Sequence, residues 1–175
     1  GQAGEEVVQE CAAGLIRIRR GERLAFQAPP LVRSGPVAEA DRVLAALGLT
    51  DAIDVQWVDN GPGWVAVLLS DPDAVLALQP TDLDGFDIGV VAAGDGYLEV
   101  RAFFSVHGLC TEDPVTGSLN ASVAGWLAEL GVVQFPYEAR QGRALGRDGR
   151  VYVDRDEDGI WVAGSTTTCV EGRLA

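Results

Sequence analysis

The sequence has no methionine, no lysine and a single histidine, and its three cysteines are spread across 175 residues. Each scarcity closes a class of function. Without lysine the chain carries no Schiff-base nucleophile, no pyridoxal-phosphate anchor and no Walker-type phosphate loop. Cys11, Cys110 and Cys169 form no Cys-x-x-Cys pair, and at that spacing no metal site is expected. An odd cysteine count in an acidic chain fits a reducing compartment, so a cytoplasmic location is expected. No apolar run approaches the length of a membrane span, and no basic stretch leads into an apolar one at the N-terminus as a secretory signal would. Because methionine is absent, Gly1 is not an ordinary start, and residues ahead of it are expected. All thirteen basic residues are arginine, set against 26 acids for a net charge of −13. Nucleic acid and anionic membranes both need positive patches, so neither is expected as a partner.

What is present reads as globular. The chain is 47% hydrophobic with a mean hydropathy of +0.13, and its length suits one ordinary domain with a sizeable core. Short strands dominate. Leu15–Arg19 and Arg23–Gln27 alternate about Arg20-Gly21-Glu22 as a half-buried hairpin does, and Ala28-Pro29-Pro30 follows as an extended connector. Ser34-Gly35-Pro36 is expected to open a helix with Val37, Ala40, Val43, Leu44 and Leu47 on one face and Gly48 at its end. Ile53–Val58 and Trp64–Leu69 read as strands joined by the turn Asp59-Asn60-Gly61-Pro62-Gly63. That turn is a possible pocket wall, although turn chemistry alone accounts for it. A short helix follows at Ala74–Leu78, then strands at Ile88–Ala93 and Tyr97–Val106. The tail returns to strands at Arg150–Asp154 and Ile160–Val170. The acidic turn Asp156-Glu157-Asp158-Gly159 between them lacks the spacing and closing glutamate of an EF-hand and reads as a hairpin tip.

The densest chemistry lies at Glu112-Asp113-Pro114-Val115-Thr116-Gly117-Ser118, which leads into a helix expected over Ser118–Leu130. That helix is apolar on nearly all faces, as a buried one is. Its first turn leaves N–H groups without partners at the positive end of the dipole, where an anion binds well. Gly117 has no Cβ to keep a ligand away, Ser118 supplies a hydroxyl, and Asp113 is a nearby proton carrier. A small carboxylate suits such a place. A plain capped helix start, with Thr116 or Ser118 as N-cap, explains the hydroxyls but not the acid.

The segment Asp113-Pro114-Val115-Thr116-Gly117-Ser118, following the strand Tyr97–Phe104, resembles the signature of the PhzF-like family named after phenazine biosynthesis. Glu10-Cys11-Ala12-Ala13-Gly14-Leu15-Ile16 and the Gln141-Gly142…Gly146-Arg147 element are weaker echoes, the latter continuing with Asp148-Gly149 where the family has Pro-Ser. The resemblance implies an α+β fold like diaminopimelate epimerase: a curved, mostly antiparallel sheet or barrel around a central buried helix. Residues 1–30 would be tail strands of an N-terminal lobe and 31–175 the C-terminal lobe. It further implies a cofactor-independent isomerase, possible as a homodimer, whose main acid/base glutamate and Gly-His-Pro-Thr-type segment lie in the first lobe.

Neither of those elements stands in this sequence. Asp113 and Ser118 are therefore the expected catalytic residues, and Thr116 and Gly117 the expected substrate-binding ones. His107 is a replacement for the family histidine or an exposed strand-end residue, and Cys110 reads as a strand-end hydrophobe. The four tryptophans read as core or strand-face residues. A second reading keeps the fold and the anion pocket but not the base, leaving a non-catalytic module for small carboxylates.

Overall fold

The computed structural model describes residues 6–11 and 14–172. Ala12 and Ala13, inside the first weaker echo, lie outside them, although its flanks pair as Glu10 with Leu15 and Cys11 with Gly14. The elements run β1 (Glu6–Cys11), β2 (Gly14–Arg20), β3 (Leu24–Gln27), β4 (Arg33–Pro36), α1 (Ala40–Ala46), β5 (Asp54–Asp59), β6 (Trp64–Leu68), α2 (Pro72–Ala77), β7 (Asp87–Ala93), β8 (Leu98–Val106), β9 (Leu109–Asp113), α3 (Gly117–Glu129), β10 (Tyr137–Gln141), β11 (Gly149–Asp156) and β12 (Gly159–Gly164).

One mixed sheet collects these strands in the order β1-β2-β3-β12-β11-β10-β8-β7-β6-β5-β4, with β9 added beside β8. Among the described residues only β6–β7 and β8–β10 pair in parallel. Helix α3 contacts β11 and β12 from one part of that order and β5 and β6 from another. A flat sheet cannot bring strands so far apart onto one helix, so the sheet curves round α3. The helix sequence allows this, because Leu119, Ala121, Val123, Ala124 and Leu127 on successive faces are all buried. They join Ala66, Leu68, Val100, Ala102, Ala139 and Val153 in the inner core. A second core on the outer face gathers Val65, Val67, Val90 and Phe103 against Val43, Leu44 and Leu47 around α1 and Val75 of α2. Period-two alternation of the strands feeds both layers.

The expected hairpins form, and the central helix falls within one residue of its expected limits. Two expectations need correction. Ser34-Gly35-Pro36 does not open a helix; it lies in β4, which pairs with β5, and α1 begins only at Ala40. An edge strand tolerates Pro36 because the missing N–H costs no ladder bond there. The last strand stops at Gly164 rather than Val170, which is 90% exposed and has no sheet partner to hold it extended. The acidic tip between β11 and β12 is neutralised from outside, with Arg19 pairing to Asp156 at 2.5 Å and to Asp158 at 2.7 Å. Those contacts hold the Asp156 carboxyl down at about 2. Among the described residues no helix is long and apolar enough to cross a membrane, and no three His, Cys, Asp or Glu side chains converge as metal ligands do.

Candidate active site at the start of helix α3

Asp113 is the last residue of β9, and its direction follows from the register. Glu112 pairs opposite Phe103 of the outer core, and Asp113 opposite Ala102 of the inner core. Alternation therefore sends Glu112 outward and Asp113 toward α3. Glu112 meets Arg101, which donates to it at 2.6 and 3.1 Å, both side chains being nearly fully buried. The other arm of Arg101 donates to the carbonyls of Val75, Leu76 and Leu78 at the end of α2. This pair holds β9 against the sheet just before the motif.

Pro114 and Val115 carry the chain from the strand to the helix. Thr116 occupies the N-cap position of α3, yet its side chain makes no capping bond. Its hydroxyl donates instead to Asp113 Oδ2 at 2.6 Å. The first-turn N–H groups of α3 thus keep their positive end free of a side-chain cap, as an anion site requires. Gln141, fully buried at the end of β10, fixes the arrangement. Its Oε1 accepts from Thr116 N–H at 3.0 Å and from Asn120 Nδ2 at 3.1 Å. Its Nε2 donates to Asp113 O and to Thr116 Oγ1, both at 2.9 Å. Both acceptor contacts of Oε1 come from groups that only donate, so the Gln141 amide has one orientation. The Thr116 hydroxyl then accepts from Gln141 and has its single proton left for Asp113. Sequence reading singled out Gln141 through the resemblance alone; only the structure reveals what its side chain does.

The 3₁₀ turn Arg143–Leu145 after β10 presses on the same corner. A Cβ on Gly142, which has φ 86°, would meet Pro114 O at 2.7 Å. Arg143 anchors the turn by donating to Glu99 at 2.8 Å on β8. Glu99 is fully buried, and burial raises its carboxyl above the ordinary 4.5 although Arg143 acts in the opposite direction.

Gly117 and Ser118 follow Asp113 and Thr116 closely but face different spaces. The ring of Phe26 from β3 sits 3.2 Å from where a Gly117 Cβ would be, so the close approach that glycine allows here is taken by Phe26. Gly117, Val115 and Gly149 line a cavity of about 630 Å³, whereas Ser118 lines one of about 650 Å³ with Asn60, Gly61 and Pro62. Phe26 walls both. Trp64 Nε1 donates to Ser118 Oγ at 3.0 Å, and Asn60 Nδ2 donates to Ser118 O at 3.0 Å. The Asp59–Gly63 turn, held by Asp59 Oδ1 accepting from the N–H groups of Gly61 and Gly63, is therefore also a wall of this site.

His107 lies apart from this cluster. With Gly108 it forms the two-residue tip of the β8–β9 hairpin, both residues at positive φ in the manner of a type I′ turn. It is exposed, at the far end of β9 from Asp113. Cys110 shares the outward face with Glu112 and packs against the outer core, and burial pushes its thiol up, away from reactivity.

The chain matches the PhzC-PhzF family, described as phenazine biosynthesis-like protein, over residues 1–172. It is similar to a protein of Pseudomonas aeruginosa described as uncharacterized isomerase PA2770, 31% identical over 169 residues that cover 93% of this chain and 61% of that one. The fold is similar to the crystal structure of a PhzF-family phenazine biosynthesis protein of Bacillus anthracis, with a TM-score of 0.71 at 20% identity, covering 94% of this chain and 66% of that one. It is also similar to the predicted epimerase PA4716 of Pseudomonas aeruginosa, with a TM-score of 0.66 at 20% identity over 93% and 64%. The chain thus spans about three-fifths of the length of the curated relative, 61%. With the motif, the curved sheet and the family match in agreement, this chain belongs to the PhzC-PhzF family of phenazine biosynthesis-like proteins.

Proposed function

We propose that the chain carries one half of an isomerase site that moves a proton on a small, carboxylate-bearing substrate without a cofactor. One observation supports this most: the Asp113 carboxylate is held at 2.6 Å by a hydroxyl whose own orientation Gln141 dictates, directly before an uncapped helix start. The substrate carboxylate, or an oxyanion developing on it, would lie at the first-turn N–H groups of α3 with the Ser118 hydroxyl. Asp113 would take or return a proton, or orient the group that does. General acid/base help of this kind is worth about 10²–10⁴-fold.

The test is deuterium incorporation from solvent into a dihydro-hydroxyanthranilate-type substrate, followed by mass spectrometry. Exchange that persists at the wild-type rate in Asp113→Ala removes Asp113 from the mechanism. Binding of small aromatic carboxylates with no exchange in any form of the protein supports a non-catalytic binding module instead. The observation that favours that second reading is that His107, the one histidine of this sequence, sits exposed at a hairpin tip away from Asp113.

A further inference from the structure

Strand β10 ends at Gln141, where it pairs with Gly149 of β11 on one side. On the other side its ladder with β8 covers only Ala139, Arg140 and Gln141. Gly142 then turns the chain away with φ 86°. Arg143, the next residue, reaches back to β8 and donates to Glu99 at 2.8 Å. Glu99 is the residue opposite Arg140 in the short ladder, so this bond closes a clasp over the end of the strand. The two halves of the clasp are unequal. Glu99 is fully buried, Arg143 is its one hydrogen-bond partner among the described residues, and its second oxygen has none. A buried carboxyl with a single partner cannot exchange that partner for water. The Arg143 side chain, by contrast, is 41% exposed. Glu99 is therefore the fixed point, and Arg143 the arm that it holds.

What the clasp secures is the corner before α3. The Gln141 amide bonds to Asp113 O, to Thr116 N–H and Oγ1 and to Asn120 Nδ2, all within 2.9 to 3.1 Å. Such bonds weaken steeply with misalignment, so all of them need the Gln141 backbone in one place. The turn beyond it has no slack either. A Cβ on Gly142 would meet Pro114 O, and one on Gly149 would strike the Val115 side chain and Gln141 O. A displaced turn would therefore push on the Pro114–Val115 linker and on Gln141 together. We infer that Arg143 is a positioning residue for Asp113: clasped to Glu99, it holds the end of β10 so that Gln141 keeps the Thr116 hydroxyl aimed at the Asp113 carboxylate. Arg143 lines neither cavity at the helix start and acts only through Gly142 and Gln141. Its bearing on chemistry rests on the isomerase reading above, whereas the clasp itself is a property of the fold.

The experiment compares amide hydrogen exchange, read by NMR on the full chain, at two places. One is Thr116, whose N–H is held by Gln141 Oε1; the other is Val65 and Val67 within β6. In Arg143→Ala the Thr116 amide should exchange about tenfold faster, beyond any rise shared with β6, as loss of a hydrogen bond to a charged group predicts. Arg143→Met, which keeps the stem but has no donor, should do the same and carries the comparison if the alanine variant folds poorly. Glu99→Gln still accepts from Arg143 and should leave Thr116 within about threefold of the unsubstituted rate. A rise at Thr116 no larger than that in β6 overturns the inference, because the pair then only stabilises the fold. Solvent-deuterium incorporation into the dihydro-hydroxyanthranilate-type substrate should fall about tenfold in kcat at unchanged KM in both Arg143 variants. A loss confined to KM, or no loss, overturns the positioning role. No incorporation by the unsubstituted protein sinks the isomerase reading instead, and the amide rates alone then decide the clasp.

Discussion

The hydroxyl of Thr116 points its only proton at Asp113 because Gln141 already donates to the same oxygen. The chain of donors has one direction, from a buried amide through a hydroxyl to a carboxylate. Thr116→Val keeps the shape and removes the link, whereas Thr116→Ser keeps it. A hydrogen bond to a charged group is worth about 1.5–3 kcal/mol, so Thr116→Val should slow solvent-deuterium exchange by one to two powers of ten at unchanged fold. Thr116→Ser should restore most of the rate. Equal rates in the two variants would mean that the hydroxyl only fills space.

The Arg101–Glu112 pair is a matter of stability rather than chemistry. Removing one partner strands a buried charge, at a cost of about 3–5 kcal/mol. Glu112→Ala should therefore lower the urea midpoint strongly. A double replacement of Arg101 and Glu112 by apolar residues of similar volume should recover much of the loss. A small effect of Glu112→Ala alone would show that the site admits water.

Glu99 is expected to make the stability of the fold fall as pH rises. Burial raises its carboxyl above 4.5, so the folded chain holds this proton more tightly than the unfolded chain does. Its contribution is complete below about 4.5 and is lost as pH rises through the raised value. Glu99→Gln still accepts from Arg143 and cannot ionise. Thermal melts across pH 4 to 9 should show a flatter profile for the variant above 4.5. Parallel profiles would place the burden on other groups.

Gly142 and Gly146 form an internal comparison. Both have positive φ, at 86° and 68°, but a Cβ on Gly146 meets nothing within 4 Å, while one on Gly142 meets the Pro114 carbonyl. Gly146→Ala should cost about 1–2 kcal/mol for the left-handed conformation alone. Gly142→Ala should cost more and also disturb Asp113 through Pro114. Chemical denaturation of the two variants, beside their exchange rates, separates strain from contact. Equal losses in both would show that the carbonyl moves aside freely.

How far this site could be read from the chain depended on where its signals lay. The helix start, the hydroxyls and the acid are adjacent in sequence, and α3 announces itself by being apolar all round. Strands β9 and β10 gave no such signal. Leu-Cys-Thr-Glu-Asp and Tyr-Glu-Ala-Arg-Gln are short and largely polar; β9 folds straight back on β8, whereas β10 takes its place through distant pairing, lying parallel to β8. For the same reason the function of Gln141 was invisible: its four bonds reach residues 21 to 28 positions away. Asn60 was hidden differently. Turn chemistry accounted for the whole Asp59–Gly63 segment, and only the fold brings it against Ser118. Pro36 misled because the same residue suits a helix start and the end of an edge strand.

The enclosure of α3 also sets an order of events during synthesis. The helix leaves the ribosome before Gln141 and before β11 and β12, which complete one wall around it. At the usual pace of translation its apolar faces wait on the order of seconds for that cover. Contacts so distant along the chain also form late in folding. The nascent protein therefore passes through a stage in which a helix buried on nearly all faces in the fold still lacks part of its cover. In that interval a chaperone, rather than the sheet, is the natural neighbour of the helix.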